Sequence, residues 1–276
     1  MFDNKGAFIG APGQANFRSD FETKDYGLRE LKVEEFAGLV FCTMAAEASI
    51  EEWLGSCAGH VRDCMMDDGR LTLLGYQKAV FPTNWKTYFD SDFYHAPLLH
   101  VGFRLLNWQG GKGDVHVEQP VGHFSVGYDS EPYKDNGFLA DPSVVEMRGS
   151  DVRARVVALR PAYVLTKHVD TINVRFMRPL GVDRTEVCYA FFGHETDDSE
   201  YRTHRVRQAT NLLGPSGFIT IEDAAVFSRQ QRTAADGGLT RFVNGVDQSP
   251  SESTQNDENG NVAGWAYYRQ VMGFDA

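Results

Sequence analysis

Residues 84–100, NWKTYFDSDFYHAPLLH, set two histidines and two aspartates in an apolar, aromatic background. His95 and His100 stand five apart with Pro97 between them. Two neutral imidazoles and one carboxylate form the facial triad that holds Fe(II) and leaves coordination positions open for substrate, water or dioxygen. A plainer reading makes the pair two polar residues at a helix end. Against it, the histidines alternate with Tyr94, Pro97, Leu98 and Leu99, and Asp92 lies three residues before His95. That spacing sets a carboxylate beside a helical imidazole, where it can fix the tautomer through the non-ligating nitrogen. The third ligand must come from another part of the chain.

Several elements could position these residues. In the first 45 residues KGAFIGAP reads as a short strand running into a turn, and LKVEEFAGLVFCTM as two strands joined at Ala37 and Gly38. Residues 49–66 read as a helix, with Ile50, Trp53, Leu54, Cys57, Val61 and Cys64 at roughly helical spacing. LTLLGYQKAVFPTNWKTYF reads as strand, turn and the start of a helix that Pro97 ends. Residues 105–133 are rich in Gly and polar side chains, which suits a loop or loosely paired hairpin lying over a site as a lid.

Three strands are expected next, ARVVALRPAYVLTK, DTINVRFMRPL and TEVCYAFFGHE, as an antiparallel meander. RTHRVRQATNLLG is helical and stops at Gly214, GPSGFIT reads as loop or short strand, and IEDAAVFSRQQR as a helix with acids early and bases late. QSPSESTQNDENGN reads as an exposed loop and VAGWAYYRQVMGF as a closing amphipathic helix. The order argues for α+β: one curved antiparallel sheet, helices on one face, and a site in the groove between them.

The chain has 276 residues, 42% of them hydrophobic, and a formal net charge of -11. It can hold a sizeable core, and its average field repels polyphosphate and anionic membranes. No run of about 18 apolar residues and no charged-then-apolar leader appears, so neither a membrane span nor secretion is supported and a cytoplasmic protein is expected. Four scattered cysteines do not suggest a disulfide framework. Cys57-Ala-Gly-His60 has the form of half a Rieske cluster site, but no Cys-x-His precedes it, and its cysteine falls in the apolar helical stripe.

The stretch NWKTYFDSDFYHAPLLH resembles the iron-binding stretch of Rieske-type aromatic ring-hydroxylating oxygenases, large (alpha) subunit, catalytic domain. NLLGPSGFITIEDAAVFSRQQ resembles that family's later motif, where a Gly-Pro-x-Gly turn precedes an acidic pair whose second member is the third iron ligand. FDNKGAFIGAP and LKVEEFAGLVF resemble strands that follow the cluster ligands, DTINVRFMRPLGVDRTEV the catalytic sheet, and GWAYYRQVMG the last helix. The resemblance covers nearly the whole chain. Two departures stand out: the step from Asn84 to His95 is shorter than is common in the family, and the Cys-x-His and Cys-x-x-His ligands of a 2Fe-2S cluster are absent.

The resemblance implies a helix-grip, START-like catalytic domain over residues 46–276, preceded over residues 1–45 by a C-terminal remnant of a Rieske domain. It implies Fe(II) held by His95, His100 and Asp223, with Glu222 as neighbour to the third ligand and Asp92 as the acid bridging to a partner subunit's cluster. Phe93, Leu99, Leu213 and Ile219 fall where the family places substrate-facing side chains. GPSGFITIED is most like the subgroup acting on aromatic carboxylates, whose carboxylate needs a basic partner. Arg104, Arg160 and Arg175 are the candidates. The implied reaction is hydroxylation or cis-dihydroxylation with O2 by an oxygenase component fed by a ferredoxin or flavin reductase, as a homotrimer with or without a beta subunit. Two other readings stand beside it: a metal-free small-molecule-binding module, and an inactive truncated remnant of the same fold.

Overall fold

The computed structural model describes residues 1–44, 47–91, 113–130, 137, 139–150, 153–239, 241–247, 254 and 257–274. They divide into two compact units, Met1–Trp53 and Leu54–Ala276.

In the first unit, β1 (Lys32–Phe36) and β2 (Leu39–Thr43) form the expected hairpin. Ala37 (φ 51) and Gly38 (φ 77) are both left-handed, the geometry that joins two twisted strands through two residues. KGAFIGAP is not a strand; only an isolated bridge joins Phe2 to Phe8. Phe8, Phe17, Phe21 and Tyr26 pack ring against ring instead, with Phe21 and Tyr26 stacked at 4.3 Å.

The second unit is built on one seven-stranded antiparallel sheet in the order β3-β9-β8-β7-β6-β5-β4. Its strands are β3 (Leu71–Phe81), β4 (Asp114–Glu118), β5 (His123–Asp129), β6 (Arg153–Leu159), β7 (Tyr163–His168), β8 (Thr171–Pro179) and β9 (Thr185–His194). From β4 to β9 the chain meanders between neighbours, and β3 closes on β9. Of the two readings of the polar stretch 105–133, loop or hairpin, part of it is the hairpin β4–β5. One expectation changes here: ARVVALRPAYVLTK is not one strand but the hairpin β6–β7 turning at Arg160–Pro161.

The helices are α1 (Ile50–Leu54), α2 (Ala58–Cys64), α3 (Trp85–Ser91), α4 (Ser199–Gln208), α5 (Phe218–Ala235) and α6 (Asn259–Val271). The expected helix 49–66 is broken, because Gly55 takes φ 54 and a 3-10 turn over Gly55–Cys57 separates α1 from α2. Cys57 and Cys64 are nonetheless fully buried, as their place in the apolar stripe requires. α5 starts at Phe218, earlier than GPSGFIT suggested.

Register fixes the two faces of the sheet. Val117, Phe124, Ala158, Val164, Arg175, Tyr189 and Gln77 are successive cross-strand partners and so share one face. The main core lies there, where Phe124, Val164 and Tyr189 pack with Tyr88 and Phe89 of α3 and Phe227 of α5. The opposite face carries Ser125, Val157 and Leu165, and α2 covers β6 and β7. Among the described residues, no helix is long and apolar enough to cross a membrane.

Candidate active site

The groove between the inner sheet face and helices α3 and α5 holds an unusual share of buried polar groups. On β8, Asn173 and Arg175 are two apart and point to the same face, and both are nearly inaccessible. Thr166 of β7 lies opposite Asn173. Arg175 donates from Nη2 to Thr166 Oγ1 at 3.3 Å and from Nη1 to the Tyr88 hydroxyl at 3.4 Å. Tyr88 in turn meets the Tyr189 hydroxyl at 3.1 Å. A further polar pair shares this side of the sheet, Tyr128 and His168, with the hydroxyl 2.9 Å from Nδ1. Burial lowers His168 to about 4, so its ring is neutral.

Asp223 comes to this groove from α5. It is 5% exposed, and Phe227, one turn on, packs over Tyr88 at 4.7 Å. Burial raises Tyr189 well above a free phenol, and the charges of Tyr88 and Asp223 push in the same direction while Arg175 opposes them. Asp223 and Arg175 therefore act on one tyrosine. The start of α5 is fixed by the Gly-Pro-Ser-Gly turn that follows a π-helical turn, Ala209–Leu213, closed by Gly214 N–H donating to Ala209 O at 2.6 Å. Such turns are frequent beside functional sites.

The remaining expected site residues are placed as follows. Ile219 is buried with Val145 and Leu212 in a second apolar cluster, against which Leu213 packs. Glu222, beside Asp223 on α5, is half-buried. Arg160 sits in the β6–β7 turn, its Cζ 4.0 Å above the Phe89 ring. Asp92, Phe93, His95, Leu99, His100 and Arg104 lie outside the described residues.

Among the described residues, no group of three or more His, Cys, Asp or Glu side chains could hold a metal. Asp223, a buried carboxylate on a helix of 18 residues, fits one place in a two-histidine, one-carboxylate set. The Tyr88–Tyr189 pair, Thr166 and Asn173 were not singled out from sequence. A signal existed, since polar residues two apart in an otherwise apolar strand must share a face.

The family model "Ring hydroxylating alpha subunit (catalytic domain)" matches residues 67–265. The terephthalate 1,2-dioxygenase terminal oxygenase component subunit alpha 2 of Comamonas sp is 32% identical over 288 residues, covering 96% of this chain and 69% of that protein. The anthranilate 1,2-dioxygenase large subunit of Burkholderia cepacia is 28% identical, covering 99% and 71%. Naphthalene 1,2-dioxygenase from Rhodococcus sp., solved with indole bound, superposes with a TM-score of 0.72 at 18% identity, over 98% of this chain and 73% of that one, and so shares the fold. With sheet, groove and these matches in agreement, the chain belongs to the ring-hydroxylating oxygenase alpha subunits, and the enzyme is an oxidoreductase of that family.

Proposed function

We propose that the protein is the cytoplasmic oxygenase component that hydroxylates or cis-dihydroxylates an aromatic carboxylate with O2 at one Fe(II). The observation that carries this reading is the burial of Asp223 on α5, beside the groove in which buried Arg175 donates to the Tyr88 hydroxyl. His95, His100 and Asp223 would hold the iron, which supplies the oxygen chemistry when bound. Arg175, of the two candidate arginines among the described residues, stands in the same groove as Asp223, and its planar fork suits a carboxylate. Phe227, Phe191 and Val164 make the surroundings apolar and keep water from the reacting ring. The names of several relatives, on terephthalate, anthranilate, salicylate and toluate, favour the same substrate class.

Electrons would come from a 2Fe-2S cluster, whose paired motifs, Cys-x-His followed by Cys-x-x-His, are not among these 276 residues, by way of a ferredoxin or flavin reductase. In this reading residues 1–45 are the end of a Rieske domain, Asp92 bridges to a neighbour's cluster in a homotrimer, and a beta subunit is an optional partner. Phe93, Leu99, Leu213 and Ile219 are the proposed substrate-facing positions.

The test is iron content after anaerobic reconstitution, wild type against His95→Ala and Asp223→Ala. One iron per wild-type chain and a loss in both variants is expected. Equal metal in all three would leave a metal-free binding module as the better account. An iron-bearing chain that stays inactive with a cluster-bearing subunit, reductase and aromatic acids supplied would mark an inactive remnant.

A further inference from the structure

A second cavity lies apart from the Arg175 groove, between α3, α6 and the β6–β7 turn, with a volume of about 280 Å³. Trp85 and Phe89 of α3, Trp265 and Tyr268 of α6, and Pro161 give it aromatic and apolar walls. Such walls with a few fixed polar groups describe a small-molecule site. α3 divides its side chains between the two places. Trp85, Lys86, Phe89 and Asp90 line the cavity, while Tyr88, on another side of the helix, reaches Tyr189 and Arg175.

Charge decides what the cavity would take. The Lys86 ammonium lies 5.4 Å from the Trp85 ring centre and 5.6 Å from that of Tyr268. Among the described residues, it has no carboxylate partner. Arg160 lies against Phe89, with Nε donating to Gly122 O at 3.2 Å and Nη2 to Gly260 O at 3.0 Å. The one acid in the lining, Asp90, is engaged through Oδ1 by the Trp265 indole N–H at 2.9 Å. Glu258, close enough to influence Asp90, is held by the Val243 and Asn244 amides and does not line the cavity. Two cations and one occupied carboxylate face aromatic walls. An organic cation would meet like charge at Lys86, whereas an aromatic anion finds both a ring surface and a counter-charge.

We propose that the α3–α6 cavity is a second binding site, for a single-ring aromatic carboxylate, with the ring against Trp85, Phe89 and Trp265 and the carboxylate on Lys86. The ligand class is that proposed for the groove, but no residue is shared with Arg175 or Asp223, so each site fails or stands alone.

The probe is sodium benzoate, added to the full chain labelled with 5-fluorotryptophan and followed by fluorine NMR, with sodium chloride at equal ionic strength as control. The chain has four tryptophans, assigned by single Trp→Phe variants. Saturable shifts of the Trp85 and Trp265 signals are expected in the wild type and equally in Arg175→Ala. Lys86→Gln, with unchanged circular dichroism, should weaken them about tenfold, the effect of one charge-assisted contact. Shifts absent or non-saturating, abolished by Arg175→Ala, or indifferent to Lys86→Gln would each overturn the proposal, as would saturable shifts with tetramethylammonium chloride in place of benzoate. Failure of the iron test leaves these signals unaffected, so the two readings are separable.

Discussion

The hydroxyl of Tyr88 on α3 lies 3.1 Å from the hydroxyl of Tyr189 on β9, and both side chains are fully buried. Two phenols so placed tie a helix to the sheet through one polar contact inside an apolar core, and Arg175 donates to the same oxygen of Tyr88. A buried hydrogen bond that loses one partner leaves the other without its match. Tyr88→Phe and Tyr189→Phe should therefore each lower stability by about 1–2 kcal/mol. The double variant should cost less than the sum, which urea denaturation of all four proteins would show. Full additivity would mean that the two hydroxyls do not act as a pair.

Gly217 stands immediately before α5 with its Cα against the turn it leaves. A Cβ built there would overlap the carbonyl carbon and oxygen of Leu212, which are backbone and cannot turn aside. Its dihedral angles are ordinary extended ones, so the need for glycine is close approach, not a left-handed backbone. Gly217→Ala should cost about 2 kcal/mol by overpacking and shift the first turn of α5, which carries Asp223. Thermal unfolding checks the first effect and iron content after reconstitution the second.

The four cysteines should separate into two classes. Cys42 is exposed, whereas Cys57, Cys64 and Cys188 are buried. Burial pushes the Cys57 thiol up to about 12, the Glu118 charge adding to it, and raises Cys64 further. Thiolate is the reactive form. At pH 8 a thiol-disulfide reagent should titrate one cysteine quickly in the folded protein and four in denaturant; a fast Cys57 or Cys64 would contradict the packing of α2 on the sheet, and a fast Cys188 the burial of β9.

How far the sequence exposes this structure depends on where a residue's partners come from. The β1–β2 hairpin, β8 and β9 are legible because alternation, β-branched residues and turn residues are all local. β4 and β5 are not, since HVEQPVGHFSVGYD places His123 and Ser125 in a buried strand. Ser125 is matched by His60 Nδ1 at 2.5 Å and His123 by the Arg160 N–H at 2.9 Å, partners 65 and 37 residues away. The break at Gly55 escapes for a related reason, because apolar spacing runs through it while the backbone does not. The burial of Asp223 follows local periodicity, since Phe227 four residues on lies on the same buried side of α5. Arg160 and Arg175 could not be told apart until register put Arg175 opposite Tyr189 and Val164.

Acid should unfold the protein through two windows. His168 lies near 4 in the folded protein against an ordinary 6.5, because burial disfavours its charged form, and His60 of α2, lowered to about 4 by burial and then by the Arg155 and His116 charges, adds to the same window. The unfolded chain therefore takes up a proton that the folded one refuses, and stability that is full above pH 6.5 falls as pH drops towards 4, by an amount on the order of 3 kcal/mol. The lower window belongs to Asp170 in the β7–β8 turn. Burial raises its carboxyl, but the Arg148 and Gly149 amides at 2.7 and 2.9 Å, the Tyr201 hydroxyl at 2.6 Å and His204 at 3.0 Å outweigh that and hold it below its ordinary value. Its contribution is complete above about pH 4, the unfolded value, and is lost as pH falls through the folded one. Urea denaturation between pH 7 and 3 should show both slopes. His168→Asn should reduce the upper slope to the part carried by His60 and spare the lower. Asp170→Ala, which leaves a buried set of donors without their carboxylate, should cost about 3–5 kcal/mol at pH 7 and remove the lower slope. A wild-type profile flat from pH 6.5 to 4 would show that His168 is not buried as the structure places it.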